Sequence, residues 1–353
     1  MALENRSWMA AVSDHGGSLA RAAALFPHAP LPWIDLSTGI NPHSYPLFDL
    51  PATALRRLPE AARVRELTGV AALAYGAPSA EHVTAAPGTQ ILLPRVASLV
   101  KPGRAFVLGP TYAEHARAAA IAGHAVAEVD NFEALYAADL AIVVNPNNPD
   151  GRIIGREKLL DLARVLKGKG GLLAVDEAFM DVGPMDERLD GDIADGGIVV
   201  LRSFGKFYGL AGLRLGFAVA AVSITQKLEA ELGPWAVAGP ALEYGIKALG
   251  DTEWRDAMRS RLAGEAARLD ELLGRFGIPV VGGTSLFRFI VSNDAASLFA
   301  ELGSRGILLR KFAWNSSALR IGLPAAESEW QRLEIALSTW AAMRGANHKE
   351  TSS

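Results

Sequence analysis

The chain has 353 residues, half of them hydrophobic, a formal net charge of −3 and no cysteine. This length exceeds what one hydrophobic core usually serves, so two domains are expected. The near-neutral balance carries no electrostatic footprint for nucleic acid or an anionic membrane, and disulfides and thiolate metal sites are excluded. Seven scattered histidines offer no ligand spacing, so no metal is expected. No apolar stretch reaches bilayer-spanning length, and the first residues lack the basic and apolar regions of a signal peptide; a cytoplasmic protein is expected.

Along the chain, Gly16-Gly17 and Gly39 mark places where backbone can approach a ligand closely. The turn Pro87-Gly88-Thr89-Gln90 feeds an apolar run at 91–100 that reads as a helix. The first N–H groups of a helix are unpaired and point at an anion. The amides of Thr89 and Gln90, with the Thr89 hydroxyl, are therefore a candidate phosphate cup. After the apolar run 105–108, a Gly-Pro turn sets Tyr112 where its ring can stack on a flat ligand. The run 140–144 ends in Asn145-Pro146-Asn147-Asn148-Pro149, a rigid turn from which Asn148 can offer its amide to a ring oxygen.

The run 171–175 closes on Asp176. A carboxylate at a buried strand end needs a cationic partner, and a pyridinium nitrogen is one; capping the next helix is the plainer use. The run 198–201 leads to Ser203-Phe204-Gly205-Lys206, then to Gly209, Gly212, Arg214 and Gly216. A lysine held among small residues between two apolar runs loses hydration. That lowers its pKa and suits Schiff-base chemistry with a carbonyl. Ser203 and Arg214 beside it suit a phosphate, and a lysine with a phosphate cup points to pyridoxal 5'-phosphate (PLP).

The apolar runs alternate with Ala-rich helical stretches at 113–123 and 156–166, the pattern of a mostly parallel sheet with helices on both faces. Tyr112, Asn148, Asp176 and Ser203 all fall at carboxyl ends of strands, where α/β sheets bind ligands. A long helical region follows at 240–276, then strands at 285–291 and 319–321. The expected organisation is an N-terminal arm at 1–48 that joins the small domain, a large PLP-binding domain at 49–233, and a connecting helix with a smaller α+β C-terminal domain at 234–353.

Five such elements in one order resemble the fold-type I PLP enzymes, the class I/II aminotransferase superfamily, over nearly the whole chain. The resemblance implies that Lys206 carries the cofactor and that Asp176 faces its ring nitrogen. It implies Asn148 as the donor to the phenolic oxygen and Tyr112 as the stacking ring. Thr89, Gln90, Ser203 and Arg214 form the phosphate cup, and Arg320 within Ala318-Leu319-Arg320-Ile321-Gly322 takes the substrate carboxylate. The stretches Asp14-His15-Gly16-Gly17, Asp35-Leu36-Ser37-Thr38-Gly39 and Pro110-Thr111-Tyr112-Ala113-Glu114-His115 are similar to those of the threonine-phosphate decarboxylases of cobalamin biosynthesis.

This branch implies decarboxylation of L-threonine O-3-phosphate to (R)-1-amino-2-propanol phosphate. His15 and Ser37 then contact the substrate phosphate, or the arm only packs on a partner subunit; a homodimer is implied. The alternative is an aminotransferase of the histidinol-phosphate type, against which Leu58-Pro59 stands where those enzymes carry Tyr-Pro. Phe179 likewise replaces a tyrosine common after Asp-Glu-Ala. A PLP-binding regulator without turnover is a third possibility, disfavoured because Lys206 is kept and no helix-turn-helix segment is attached.

Overall fold

The computed structural model describes residues 16–350, with side chains through Arg344. Its strands are β1 (Ile34–Asp35), β2 (Val83–Ala86), β3 (Arg104–Leu108), β4 (Ala125–Val129), β5 (Leu140–Val144), β6 (Leu172–Asp176), β7 (Ile198–Ser203), β8 (Gly216–Ala220), β9 (Val280–Thr284), β10 (Phe287–Val291), β11 (Ile307–Leu308), β12 (Arg310–Phe312) and β13 (Asn315–Gly322). The chain divides into two compact units. The first takes Ser44–Asn148 and Arg152–Ala257; the second takes residues 16–43, Pro149–Gly151 and the described residues from Met258 onward.

In the first unit, seven strands form one sheet in the order β2-β8-β7-β6-β5-β3-β4. Only β8 runs antiparallel to its neighbours. Strands β5 and β6 are buried at every position, the reason they read as unbroken apolar runs. The helix Arg156–Gly168 buries Leu159, Leu162, Ala163 and Leu166 at helical spacing. After β3 the chain moves outward to β4 and returns on the other side of β3 as β5. That reversal leaves a crevice at the carboxyl ends of β3 and β5, from which the segments carrying Tyr112 and Asn148 emerge.

Two helices differ from expectation. The run 91–100 gives a single 3-10 turn at Thr89–Ile91 and a helix of only Leu92–Ala97, with Pro94 in its first turn, where a missing N–H costs nothing. The region 240–276 is two helices, Gly239–Gly250 and Thr252–Arg275. Asp251 leaves helical geometry (φ −87°, ψ 81°), and its carboxylate accepts the Trp254 N–H at 3.0 Å, opening the second helix.

Behind the sheet lies a buried ionic knot. Arg202, fully buried on β7, donates to Glu177 (2.8 Å) and Asp181 (3.1 Å), lies 3.5 Å from Asp190, and stacks over the Tyr75 ring at 4.4 Å. Burial pushes Glu177 and Asp190 upward, with Arg202 pulling the other way. Three carboxylates face Arg202, with the Arg188 charge also acting on Asp190, and burial with the remaining excess of negative charge raises Glu177 and Asp190 above their unfolded values. Such a group is protonated in the folded state at a pH where the unfolded chain has released it. Its stabilisation is full below the ordinary carboxylate range and is lost as pH rises through the folded value.

Arg202→Met strands the acids and is expected to cost about 3–5 kcal/mol in chemical denaturation. Glu177→Gln removes one charge of the excess, and is expected to be milder and to flatten the fall of stability with pH. A larger loss for Glu177→Gln than for Arg202→Met would refute the charge-excess account.

In the second unit, β12-β13-β10-β9 form an antiparallel sheet and β1 pairs in parallel with β11. Strand β10 begins at Phe287 because Ser285 and Leu286 make the turn from β9, held by the Leu286 N–H on Thr284 Oγ1 (3.1 Å). Phe26 packs on Phe299, 5.7 Å between ring centres, in space left by Gly303, where a Cβ would lie 2.3 Å from the Phe26 ring.

Candidate active site

Strand register gathers the residues of the candidate anion cup. Ala86, Gly216 and Ser203 lie side by side across β2, β8 and β7, which brings the Thr89 turn, Arg214 and Ser203 together. Gly88 holds φ +86°, and a Cβ on it would lie 2.7 Å from Arg214 Nη2. A Cβ on Gly216 would lie 2.6 Å from the Thr89 nitrogen. Both glycines are needed for this close approach. Arg214 is itself left-handed (φ 52°) and donates to the Ala211 carbonyl at 3.1 Å.

Lys206 follows β7 on the one-turn helix Phe204–Phe207. It is half-buried, with Nζ 5.8 Å from the centre of the buried Phe179 ring. Gly205 admits the next turn, since a Cβ there would meet the Ala211 Cα at 2.8 Å.

On the paired strand β6, Asp176 is 7% exposed. Its Oδ1 accepts the Ala178 N–H at 3.0 Å, the local capping contact, and its Oδ2 lies 2.8 Å from His115 Nε2. His115 is buried and absent from the sequence-derived site. Its signal was its position three residues after Tyr112 at the start of a helix, a spacing that puts the two rings on one side. They meet edge to face at 5.8 Å.

Two of the three asparagines after β5 are structural. Asn145 brackets Ile154, donating to its carbonyl (3.1 Å) and accepting its N–H (2.8 Å); Asn147 accepts from Thr111 (2.7 Å) and donates to the Pro110 carbonyl (3.1 Å). Asn148 stands half-buried at the turn. The exposed Gln90 uses its side chain on Tyr112 and Glu114.

In the second unit, Arg320 on β13 is 6% exposed and donates to the Ser37 carbonyl at 2.7 Å. The Ser37 hydroxyl donates to Asp35 (2.6 Å) and accepts the Gly17 N–H (2.7 Å), while Asp35 also accepts the Ser37 N–H (2.9 Å). Arg310, which the sequence reading did not single out, is the Cα partner of Arg320 across β12 and β13, so both side chains share one face. Burial and then the Arg310 charge pull Arg320 down to about 9, against the attraction of Asp35; it remains a cation at neutral pH. His15 lies outside the described residues.

The first unit's residues fit a phosphate-bearing pyridine cofactor. A glycine-lined cup gathers Thr89, Ser203 and Arg214, a buried carboxylate stands on an imidazole, and a lysine follows the adjacent strand.

The sequence model of the aminotransferase class I and II family matches residues 72–338, and the chain belongs to that family, whose cofactor is PLP. Within it, the chain is 43% identical to a threonine-phosphate decarboxylase of Pseudomonas aeruginosa, over 92% of this chain and 97% of that protein. It is 42% identical to the threonine-phosphate decarboxylase of a Sinorhizobium species, over 94% and 99%. Among solved structures, the histidinol-phosphate aminotransferase of Clostridium acetobutylicum superposes with a TM-score of 0.76 at 21% identity, covering 88% of this chain and 99% of that one. That likeness establishes the fold: an α/β PLP-dependent transferase fold with a mostly parallel large sheet and a separate antiparallel one.

Proposed function

We propose that this chain is a PLP-dependent carbon–carbon lyase that decarboxylates L-threonine O-3-phosphate to (R)-1-amino-2-propanol phosphate, a step of cobalamin biosynthesis. The observation that carries the reading is the near-full-length kinship at 43% identity with a protein of that name. The paired arginines Arg310 and Arg320 support it, since a substrate with a carboxylate and a phosphate needs more than one cation.

In this reading the Thr89 and Gln90 amides, Ser203 and Arg214 hold the cofactor phosphate, Asn148 its phenolic oxygen and Tyr112 its ring face. Asp176, stood on His115, holds a proton on the ring nitrogen. Bound PLP supplies the electron sink for the pair released at the substrate Cα. Arg320 orients the substrate carboxylate so that the bond to it, rather than the Cα–H bond, is the one that breaks. Lys206 Nζ then returns a proton to Cα. His15 is assigned to the substrate-phosphate side of the arm, while Ser37, whose hydroxyl and N–H are both given to Asp35, holds the arm in place rather than donating to that phosphate.

Arg320→Ala is expected to raise KM about 10- to 100-fold, the loss of a charged hydrogen bond of about 1.5–3 kcal/mol, with PLP binding unchanged; an unaltered KM would place the anion elsewhere.

A cytoplasmic location is part of this reading; among the described residues no helix is long and apolar enough to cross a membrane. Leu47, Leu55, Leu58 and Leu73 stand exposed on the single chain, apolar surface suited to a second copy. Light scattering at the mass of one chain would remove the homodimer from the reading.

The deciding experiment incubates the PLP-loaded protein with L-threonine O-3-phosphate. Carbon dioxide and the amine, with no keto acid and no acceptor needed, is the expected result. Glutamate formed from histidinol phosphate and 2-oxoglutarate, without carbon dioxide from the first substrate, would make it an aminotransferase instead.

A further inference from the structure

Glu114 is an unusual residue for its place: a carboxylate only 5% exposed, in the first turn of the helix Glu114–Ile121, beside the His115 that supports Asp176. Arg117, one turn on, donates to Glu114 Oε2 at 3.2 Å, and Gln90 Nε2 donates to the same oxygen at 2.8 Å. Gln90 in turn accepts the Tyr112 hydroxyl on Oε1 at 3.1 Å. The direction of this relay is fixed by chemistry. An ionised carboxylate only accepts, so Gln90 must turn its NH₂ to Glu114 and its carbonyl to Tyr112. The phenol is thereby obliged to donate, and its O–H axis is set.

A ring that stacks on a ligand needs its tilt held. Tyr112 is held at its base by the edge-to-face contact with His115 and at its tip by Gln90.

We infer that Glu114 is a positioning residue for the cofactor: through Gln90 it fixes the Tyr112 phenol, and with it the plane on which the PLP ring lies. The inference rests on the reading of Tyr112 as the stacking ring and is independent of which substrate the enzyme takes. The helix start at 112–115 therefore serves both faces of one job, with His115 directed to Asp176 and Glu114 to the ring that covers the cofactor.

The test is a double-mutant cycle read by the PLP dissociation constant and by the visible circular dichroism of the bound cofactor. Glu114→Ala and Tyr112→Phe are each expected to weaken PLP about 5-fold, the worth of one neutral hydrogen bond. The double variant is expected to stay near 5-fold rather than 25-fold, because both changes remove one relay. Glu114→Gln can donate as well as accept, so it no longer sets the Gln90 amide, and is expected to fall between wild type and Glu114→Ala.

Gln90 is exposed, so Gln90→Leu spares the fold and is expected to match Glu114→Ala even if the latter proves unstable. Additive losses in the cycle, or a Gln90→Leu protein with wild-type affinity and dichroism, overturn the relay. Tyr112→Ala with unchanged affinity and dichroism also overturns it, by removing Tyr112 from the cofactor face; failure of the decarboxylation assay leaves these readings untouched.

Discussion

Replacing Lys206 by alanine is expected to abolish turnover, a loss of at least about 10⁴-fold, because in the proposed mechanism one amine serves both as the attachment point of the cofactor and as the proton carrier at Cα. The visible absorbance of lysine-bound PLP is expected to vanish with it. The cofactor itself should still bind, since the cup at Thr89, Ser203 and Arg214 does not depend on the amine. Position favours this assignment. Lys206 sits on a single helical turn directly after β7, the strand paired with the one that ends in Asp176. Gly205 keeps that turn tight against Ala211. Lys206→Arg is the control, since it keeps a cation but supplies no amine nucleophile, and it should be as inactive as alanine. Turnover within tenfold of wild type in either variant would overturn the assignment.

What the sequence made legible, and what it did not, divides along the range of the contacts involved. Strands β5, β6 and β7 were readable because burial on both faces writes an unbroken apolar run, and their carboxyl ends then carry Asn148, Asp176 and Ser203 by simple succession. The glycines at 88 and 216 read only as parts of a turn and of the lysine segment; the register of β2, β8 and β7 shows that each makes room for the other's neighbour. Arg310 was hidden for the same reason, because its pairing with Arg320 depends on the hairpin register at β12 and β13. Glu114 and His115 stood in a quoted motif, yet their partners Gln90 and Asp176 are 24 and 61 residues away, and no local pattern records such distances. The break at Asp251 was a local matter that helical periodicity obscured: apolar spacing continues on both sides of it.

Asp176→Ala is expected to keep PLP and lose about 10²–10³-fold in kcat, the scale for removing one preorganised charge partner at a developing charge. Its two oxygens are separately committed, one to the Ala178 N–H and the other to His115 Nε2, so the carboxylate cannot swing away from the strand end. Buried as it is, the pair leaves little water to compensate when the charge is removed. His115 acts chiefly through Asp176 and touches Tyr112 only by a ring edge, so His115→Ala should cost less, about tenfold, and most of that loss should disappear once Asp176 is gone. His115→Gln can still donate to the carboxylate and should recover most of the loss. A purely structural histidine would show the opposite pattern. Alanine and glutamine would then differ in thermal midpoint but not in kcat, and the His115 and Asp176 losses would multiply. Near-wild-type kcat in Asp176→Ala would remove the carboxylate from the chemistry altogether and leave it as the cap of the turn that follows β6.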